Sequence, residues 1–230
     1  MSAPAEQEVG ALVQRLRQLD SCVVSDALDS LGFVTSPLGI HAMWEGAKVA
    51  GRAVTMKLGL AEAGASEKPV HLGVAAIEAS EPGDVIVIDN AGRVGMGSWG
   101  GLLTVAAMER GVAGVVSDGA LRDVDEARGH RFPVFARAPI TRTARSRATE
   151  VAQGVDITID GVPVRNGDLV IADGSGVVVI PVELAARVLD IAEGLAKREE
   201  GMQAGLRGGL SPSEVMGPQY QDMLKAQVAP

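Results

Sequence analysis

Two short β-branched runs, Val85-Ile86-Val87-Ile88-Asp89 and Gly114-Val115-Val116-Ser117, constrain this chain more than any other feature, because helical patterns stand between and after them. A continuous apolar run without polar alternation reads as a strand covered on both faces, and such strands separated by helices read as an α/β protein. The neighbouring segments agree. Val9 to Leu19 has apolar residues at helical spacing, and Ser25 to Leu31 reads as a short helix ended by Gly32. Ala50 to Leu58 and Pro133 to Ala136 read as strands, Lys68 to Ala79 and Gly101 to Arg110 as helices. From Val155 the pattern turns antiparallel. Ile157-Thr158-Ile159 and Val162-Pro163-Val164 flank Asp160-Gly161, a hairpin signal, and Leu169 to Ala172 and Val177 to Pro181 follow as two more strands. A helix from about Val182 to Leu206 closes the pattern before Gly208-Gly209. The expected fold is α/β with an antiparallel C-terminal segment and a long C-terminal helix, in one domain over residues 1–230.

Twenty-nine glycines against three Phe, two Trp and one Tyr imply an aliphatic core in short elements joined by tight turns. The formal charge of -8, with basic residues scattered, speaks against a surface that tracks phosphates, so nucleic acid is not an expected partner. No stretch is apolar for long enough to span a bilayer, and the start lacks a basic segment followed by an apolar one; a cytoplasmic protein without membrane contact is expected. The single cysteine, Cys22, cannot form an internal disulfide and is expected to pack as a small apolar residue. His41, His71 and His130 show no ligand spacing.

Two motifs carry chemistry. Gly95-Met96-Gly97-Ser98-Trp99-Gly100 fits G-x-G-x-x-G, precedes a helix, and has Asp118 at the end of the next strand, where a ribose-binding acid would sit. Against a dinucleotide site, the loop Asn90 to Val94 intervenes between strand and first glycine. Two other readings stand beside it: the glycines serve only a tight turn, or the backbone amides of Gly100 to Leu103 form a pocket for an anion as small as a carboxylate. The second motif is Arg122-Asp123. It reads either as a surface arginine beside a helix cap, since Asp123-Val124-Asp125-Glu126 matches D-x-x-E, or as a pair that holds an organic anion and a divalent cation together. Successive strand ends at Ile88 and Ser117 should deliver both motifs to one cleft, which favours the second reading.

The strings Ser98-Trp99-Gly100-Gly101-Leu102-Leu103, Gly111-Val112-Ala113-Gly114-Val115-Val116-Ser117-Asp118-Gly119-Ala120-Leu121-Arg122-Asp123 and Phe132-Pro133-Val134-Phe135-Ala136-Arg137 resemble the 4-hydroxy-4-methyl-2-oxoglutarate aldolase and ribonuclease-activity-regulator-A-like family. The likeness extends to Ser25-Asp26-Ala27-Leu28, Pro82-Gly83-Asp84-Val85 and Gly167-Asp168-Leu169-Val170-Ile171-Ala172-Asp173. It implies a layered ββα swivelling-domain fold, assembled as homotrimers or homohexamers, with the C-terminal helix at a subunit interface and active sites between subunits. The implied activity is cleavage of a small 2-oxo acid to release pyruvate, dependent on Mg2+ or Mn2+, with oxaloacetate decarboxylation as a companion. Some members instead bind a ribonuclease and regulate it without known catalysis.

By the same resemblance, Asp123 is the protein's direct metal ligand, Arg122 holds the substrate carboxylate and oxo oxygen, and the amides of Gly100, Gly101, Leu102 and Leu103 hold the carboxylate end. One departure stands out: aldolases of the family carry an acidic residue where this chain has Gly101, which puts proton transfer in retro-aldol cleavage in question. The closing helix shows another. Its apolar stripe Leu184, Val188, Ile191 and Leu195 steps next onto Glu199. Either Glu199 lies on a solvated face with Lys197, Arg198 and Glu200, or, as the resemblance implies, it reaches the site of a neighbouring subunit; Glu200 is open for the same role.

Overall fold

The computed structural model describes residues 6–61 and 71–217. Two helices, α1 (Glu6–Leu16) and α2 (Ser21–Ser30), precede β1 (His41–Ala42) and the long β2 (Val49–Leu60). There follow α3 (Val74–Ala79), β3 (Val85–Asp89), α4 (Gly101–Arg110), β4 (Gly114–Ser117), β5 (Ala120–Leu121), α5 (Val124–Gly129), β6 (Val134–Ala136) and β7 (Ala138–Pro139). The C-terminal part holds β8 (Ala148–Gln153), the pair β9 (Ile157–Ile159) and β10 (Val162–Val164), β11 (Leu169–Asp173), β12 (Gly176–Ile180), α6 (Ala185–Arg207) and α7 (Pro212–Val215).

The main sheet runs β1-β6-β4-β3-β2-β11-β12, with β8 also paired to β2. β2, β3, β4 and β6 are parallel; β1, β8, β11 and β12 join antiparallel. The β-branched runs are covered on both faces, as expected. Ile86 and Ile88 point into a core shared with Ala76, Ile77, Leu103 and Ala107 of α3 and α4, while Val85 and Val87 point to the opposite face, where Ile157, Ile159, Val162 and Val164 of the β9–β10 hairpin lie. Alternate side chains of β11 and β12 do likewise: Leu169, Ile171, Val178 and Ile180 face α1, α2 and α6. The molecule is therefore layered, helices and hairpin covering a mixed sheet. The hairpin turn forms at Asp160-Gly161, both at positive φ (49° and 80°), the conformation that this dipeptide tolerates well.

Several boundaries shift. The second helix begins at Ser21 and not at Ser25, because the Asp20 side chain accepts from the Val23 amide at 2.9 Å and caps the helix four residues earlier. In that longer helix Ser21, Val23, Val24, Ala27 and Leu28 are buried, which leaves Cys22 exposed; it is not the packed core residue expected of it. The third helix is described from Val74, after Gly73 at positive φ, and residues 68–70 lie outside the described residues. The closing helix opens with a 3-10 turn, Val182–Leu184, and continues as α6, tied to α1 by Arg15, which donates to Asp190 and Glu193.

Candidate active site

β3 and β4 lie parallel with Ile88 opposite Ser117, so the segments that leave them emerge side by side. These segments then zip together. Gly97 bridges Ala120, the Ser98 amide donates to the Ala120 carbonyl at 2.8 Å, the Arg122 amide to the Trp99 carbonyl at 3.0 Å, and the Gly101 amide to Asp123 Oδ2 at 2.9 Å. Below them the buried hydroxyls of Ser98 and Ser117 are 2.6 Å apart. Trp99, 2% exposed, donates through Nε1 to Thr104 Oγ1 at 3.0 Å and pins the first turn of α4 to the core.

Three glycines of this loop are sites of close approach. A Cβ on Gly97 would stand 3.0 Å from Arg122 Cγ, and one on Gly100 would stand 2.8 Å from Asp123 Oδ2 and 3.1 Å from Arg122 Cγ. Gly101 is the tightest, since a Cβ there would overlap the Glu126 carboxylate. Gly97, Gly100 and Gly101 thus let a second loop lie against the first, whereas a Cβ on Gly95, the first glycine of the G-x-G-x-x-G string, would meet nothing within 4 Å. The ribose acid that a dinucleotide site needs is also committed elsewhere: Asp118, 3% exposed, accepts from Arg137 Nε and from the Gly92 amide at 3.1 Å.

Asp123 has left-handed backbone geometry (φ 59°, ψ 37°), uncommon for most residues with a side chain but visited by aspartate and asparagine more readily than by the others. It occupies the cap position of α5, yet its side chain makes no cap bond; Oδ2 turns back to Gly101, and Oδ1 has no hydrogen-bond partner among the described residues. Arg122 Nε lies 3.4 Å from Asp123 Oδ2 and is buried without a hydrogen bond, and no group among the described residues accepts from the guanidinium fork. The amides of Gly100, Leu102 and Leu103, at the positive end of α4, likewise have no acceptor among the described residues, whereas that of Gly101 is taken by Asp123. A planar cation, three open amides and a free carboxylate oxygen therefore converge at the C-terminal ends of two parallel strands. Such an arrangement has the chemistry to accept a small organic anion through its carboxylate, with one hard oxygen donor beside it.

Arg122, Asp123 and the amides nominated from the sequence are brought together. Glu199 is not brought to them within one chain: it is half-buried on α6, which packs against α1, α2 and α7, while α4 and α5 belong to the other helical layer. Glu200 on the same helix is exposed. The residue missed by local reasoning is Glu126. Its D-x-x-E spacing suggested a capping box, but its carboxylate lies over Gly101, 25 positions away in sequence. His41, His71 and His130 are exposed, and among the described residues no three His, Cys, Asp or Glu side chains are grouped to hold a metal ion. No helix among the described residues is long and apolar enough to cross a membrane.

A layered α/β fold whose parallel strand ends present a glycine-rich helix start against an Arg-Asp loop defines a class, and comparison with known proteins agrees with it. The chain belongs to the RraA-like family, described as Aldolase/RraA, whose model matches residues 21–179. It is 37% identical over 182 residues to a protein of Halalkalibacterium halodurans provisionally named 4-hydroxy-4-methyl-2-oxoglutarate aldolase, covering 79% of this chain and 81% of that one. DlpA of Legionella pneumophila is 31% identical over 86% of this chain, which spans only about a third of DlpA (32%). Among solved structures, Streptomyces coelicolor RraAS2, an unusual member of the RNase ES inhibitor RraA protein family, superposes with a TM-score of 0.76 at 30% identity, over 85% of this chain and 98% of that one.

Proposed function

We propose that this protein is a divalent-metal-dependent carbon–carbon lyase that cleaves small 2-oxo acids and releases pyruvate, with 4-hydroxy-4-methyl-2-oxoglutarate and oxaloacetate as candidate substrates. The observation that carries this reading is the free fork of Arg122 beside the free Oδ1 of Asp123 and the open amides of Gly100, Leu102 and Leu103. The names of relatives support it.

The residues fit Mg2+ or Mn2+ as a hydrated ion, not as one held in an all-protein cage: Asp123 Oδ1 offers one hard oxygen, and the substrate brings its own. When bound, such an ion stabilises the negative charge that gathers on the 2-oxo oxygen as the carbon–carbon bond breaks. The chain's own groups do the rest. Arg122 binds the carboxylate and oxo oxygens in the plane of its fork, and the α4 amides orient the carboxylate end. Trp99 and Thr104 keep that helix start rigid. Glu199, or Glu200, joins the site of an adjoining copy if the chain assembles as a trimer or hexamer.

The test is pyruvate release from each acid with Mg2+ or Mn2+ and after chelation. Turnover that needs the metal is expected; no release from either acid with either metal overturns the reading. Arg122→Lys should lower turnover by roughly ten- to a thousandfold, since lysine keeps the charge but loses the bidentate fork. Normal turnover with altered thermal stability would make Arg122 a surface partner. A second reading, a regulator that binds a partner protein, is favoured by the likeness to RraAS2, which is named for a family of RNase inhibitors, and by the exposed stripe Leu102, Val105 and Met108 on α4.

A further inference from the structure

Glu126 stands where a side chain at position 101 would stand. A Cβ built on Gly101 would lie 2.7 Å from Glu126 Oε1 and closer still to Oε2, so any residue other than glycine at position 101 displaces this carboxylate. Asp123 and Glu126 are three residues apart and both reach back to the first residue of α4, one through the Gly101 amide and the other over its Cα. Glu126 is exposed, and among the described residues its carboxylate has no hydrogen-bond or ion-pair partner; that of its neighbour Asp125, by contrast, pairs with Arg128 at 2.8 Å. What favours the anion there is the positive end of α4, the same end whose open amides face the proposed substrate carboxylate. An unpaired carboxylate thus lies over the first residue of α4, beside the open amides, and the glycine beneath it is what makes room.

We propose that Glu126 is a catalytic residue, the proton-transfer group for aldol cleavage. The proposal rests on the reading of this site as a pyruvate-releasing lyase. In cleavage of a 4-hydroxy-2-oxo acid, the proton of the C4 hydroxyl passes to the Glu126 carboxylate as the C3–C4 bond breaks. C4 and its oxygen become the carbonyl of the departing oxo acid, and the bonding pair stays on the three-carbon fragment as the enolate of pyruvate. The proton returns from Glu126, directly or through water, to C3 and gives pyruvate. Decarboxylation of oxaloacetate breaks its C3–C4 bond with loss of CO2, and no hydroxyl proton has to be removed. Glu126 therefore separates the two reactions, whereas Arg122 and Asp123 serve both.

The experiment compares both reactions in the wild-type protein, in Glu126→Gln and in the double variant Gly101→Asp/Glu126→Ala, which moves a carboxylate into the vacated space. Binding of oxalate, a mimic of the pyruvate enolate, is measured by calorimetry in the presence of Mg2+. Removing a general base costs about a hundred- to ten-thousandfold. Glu126→Gln should therefore lower aldol cleavage at least about a hundredfold more than it lowers decarboxylation, with the oxalate affinity within about threefold of wild type, and the double variant should regain at least about tenfold of the lost aldol cleavage. Equal loss of both reactions, weakened oxalate binding or undiminished aldol cleavage in Glu126→Gln overturns the role of Glu126 alone. So does a wild-type protein that decarboxylates oxaloacetate but does not cleave the hydroxy acid. A wild-type protein inactive on both acids instead overturns the lyase reading and this proposal with it.

Discussion

Asp123→Asn should eliminate metal-dependent pyruvate release, a loss of at least about a thousandfold that corresponds to about 4 kcal/mol of barrier, while the fold remains intact. The substitution is close to isosteric. Asparagine tolerates the left-handed backbone that Asp123 adopts, and its oxygen can still accept from the Gly101 amide. The side-chain nitrogen then stands where Oδ1 stood and presents donors, not a negatively charged oxygen, to a divalent cation, whereas hard cations take oxygen ligands. Initial rates measured across a Mg2+ titration, with thermal denaturation beside them, check the point. A variant with wild-type rate and wild-type metal dependence would remove Asp123 from the site.

What could be read from the sequence, and what could not, follows from where each residue finds its partner. β3, α4 and β4 were legible because burial on both faces writes itself as an unbroken apolar run, and α4 is bounded by Gly100 before it and Gly111 at its left-handed cap. The β9–β10 hairpin was legible from two residues, Asp160 and Gly161. β8 was not: all of its residues but one are half-buried and the remaining one, Val151, is exposed, so neither period 2 nor an apolar run marks it, and it exists because β2 offers it an edge. The Arg122-Asp123 pair was legible as a candidate site because both residues belong to one contiguous motif. In the sequence Glu126 stands out only as the far end of a D-x-x-E capping pattern headed by Asp123, while its actual neighbour is a glycine on another helix. Gly97, Gly100 and Gly101 carried the complementary information. The first two belong to the G-x-G-x-x-G spacing that left a dinucleotide site open, and only the packed structure shows that Arg122, Asp123 and Glu126 occupy the space these three glycines leave.

Asp118 illustrates the same point with a consequence for stability, and Arg137→Ala should reveal it. Placed at the end of β4, Asp118 was a plausible ribose ligand by spacing; in the fold its carboxylate is 3% exposed and bound to Arg137, which also donates to Asp160 at 2.6 Å in the hairpin turn. One arginine therefore ties the end of β4 to the hairpin, and its backbone amide adds a bond to the Gly119 carbonyl at 2.8 Å, within the segment that leads to Arg122. Removing the guanidinium leaves Asp118 with the Gly92 amide at 3.1 Å and the more distant Asp160 amide at 3.4 Å, too little to replace a paired cation. Breaking a buried ion pair from one side costs about 3–5 kcal/mol, which for a chain of this size lowers the melting temperature by roughly 6–20 °C. The arginine also holds the Asp160 carboxyl below its ordinary range, so that part of the stabilisation is present at neutral pH and is lost as pH falls through the lowered value. Adding Asp118→Asn to Arg137→Ala removes the stranded charge and should recover part of the loss. If Arg137→Ala melts within about 2 °C of wild type, a shift worth less than about 1 kcal/mol at this chain length, the bridge contributes little, and the end of β4 is held by its backbone hydrogen bonds alone.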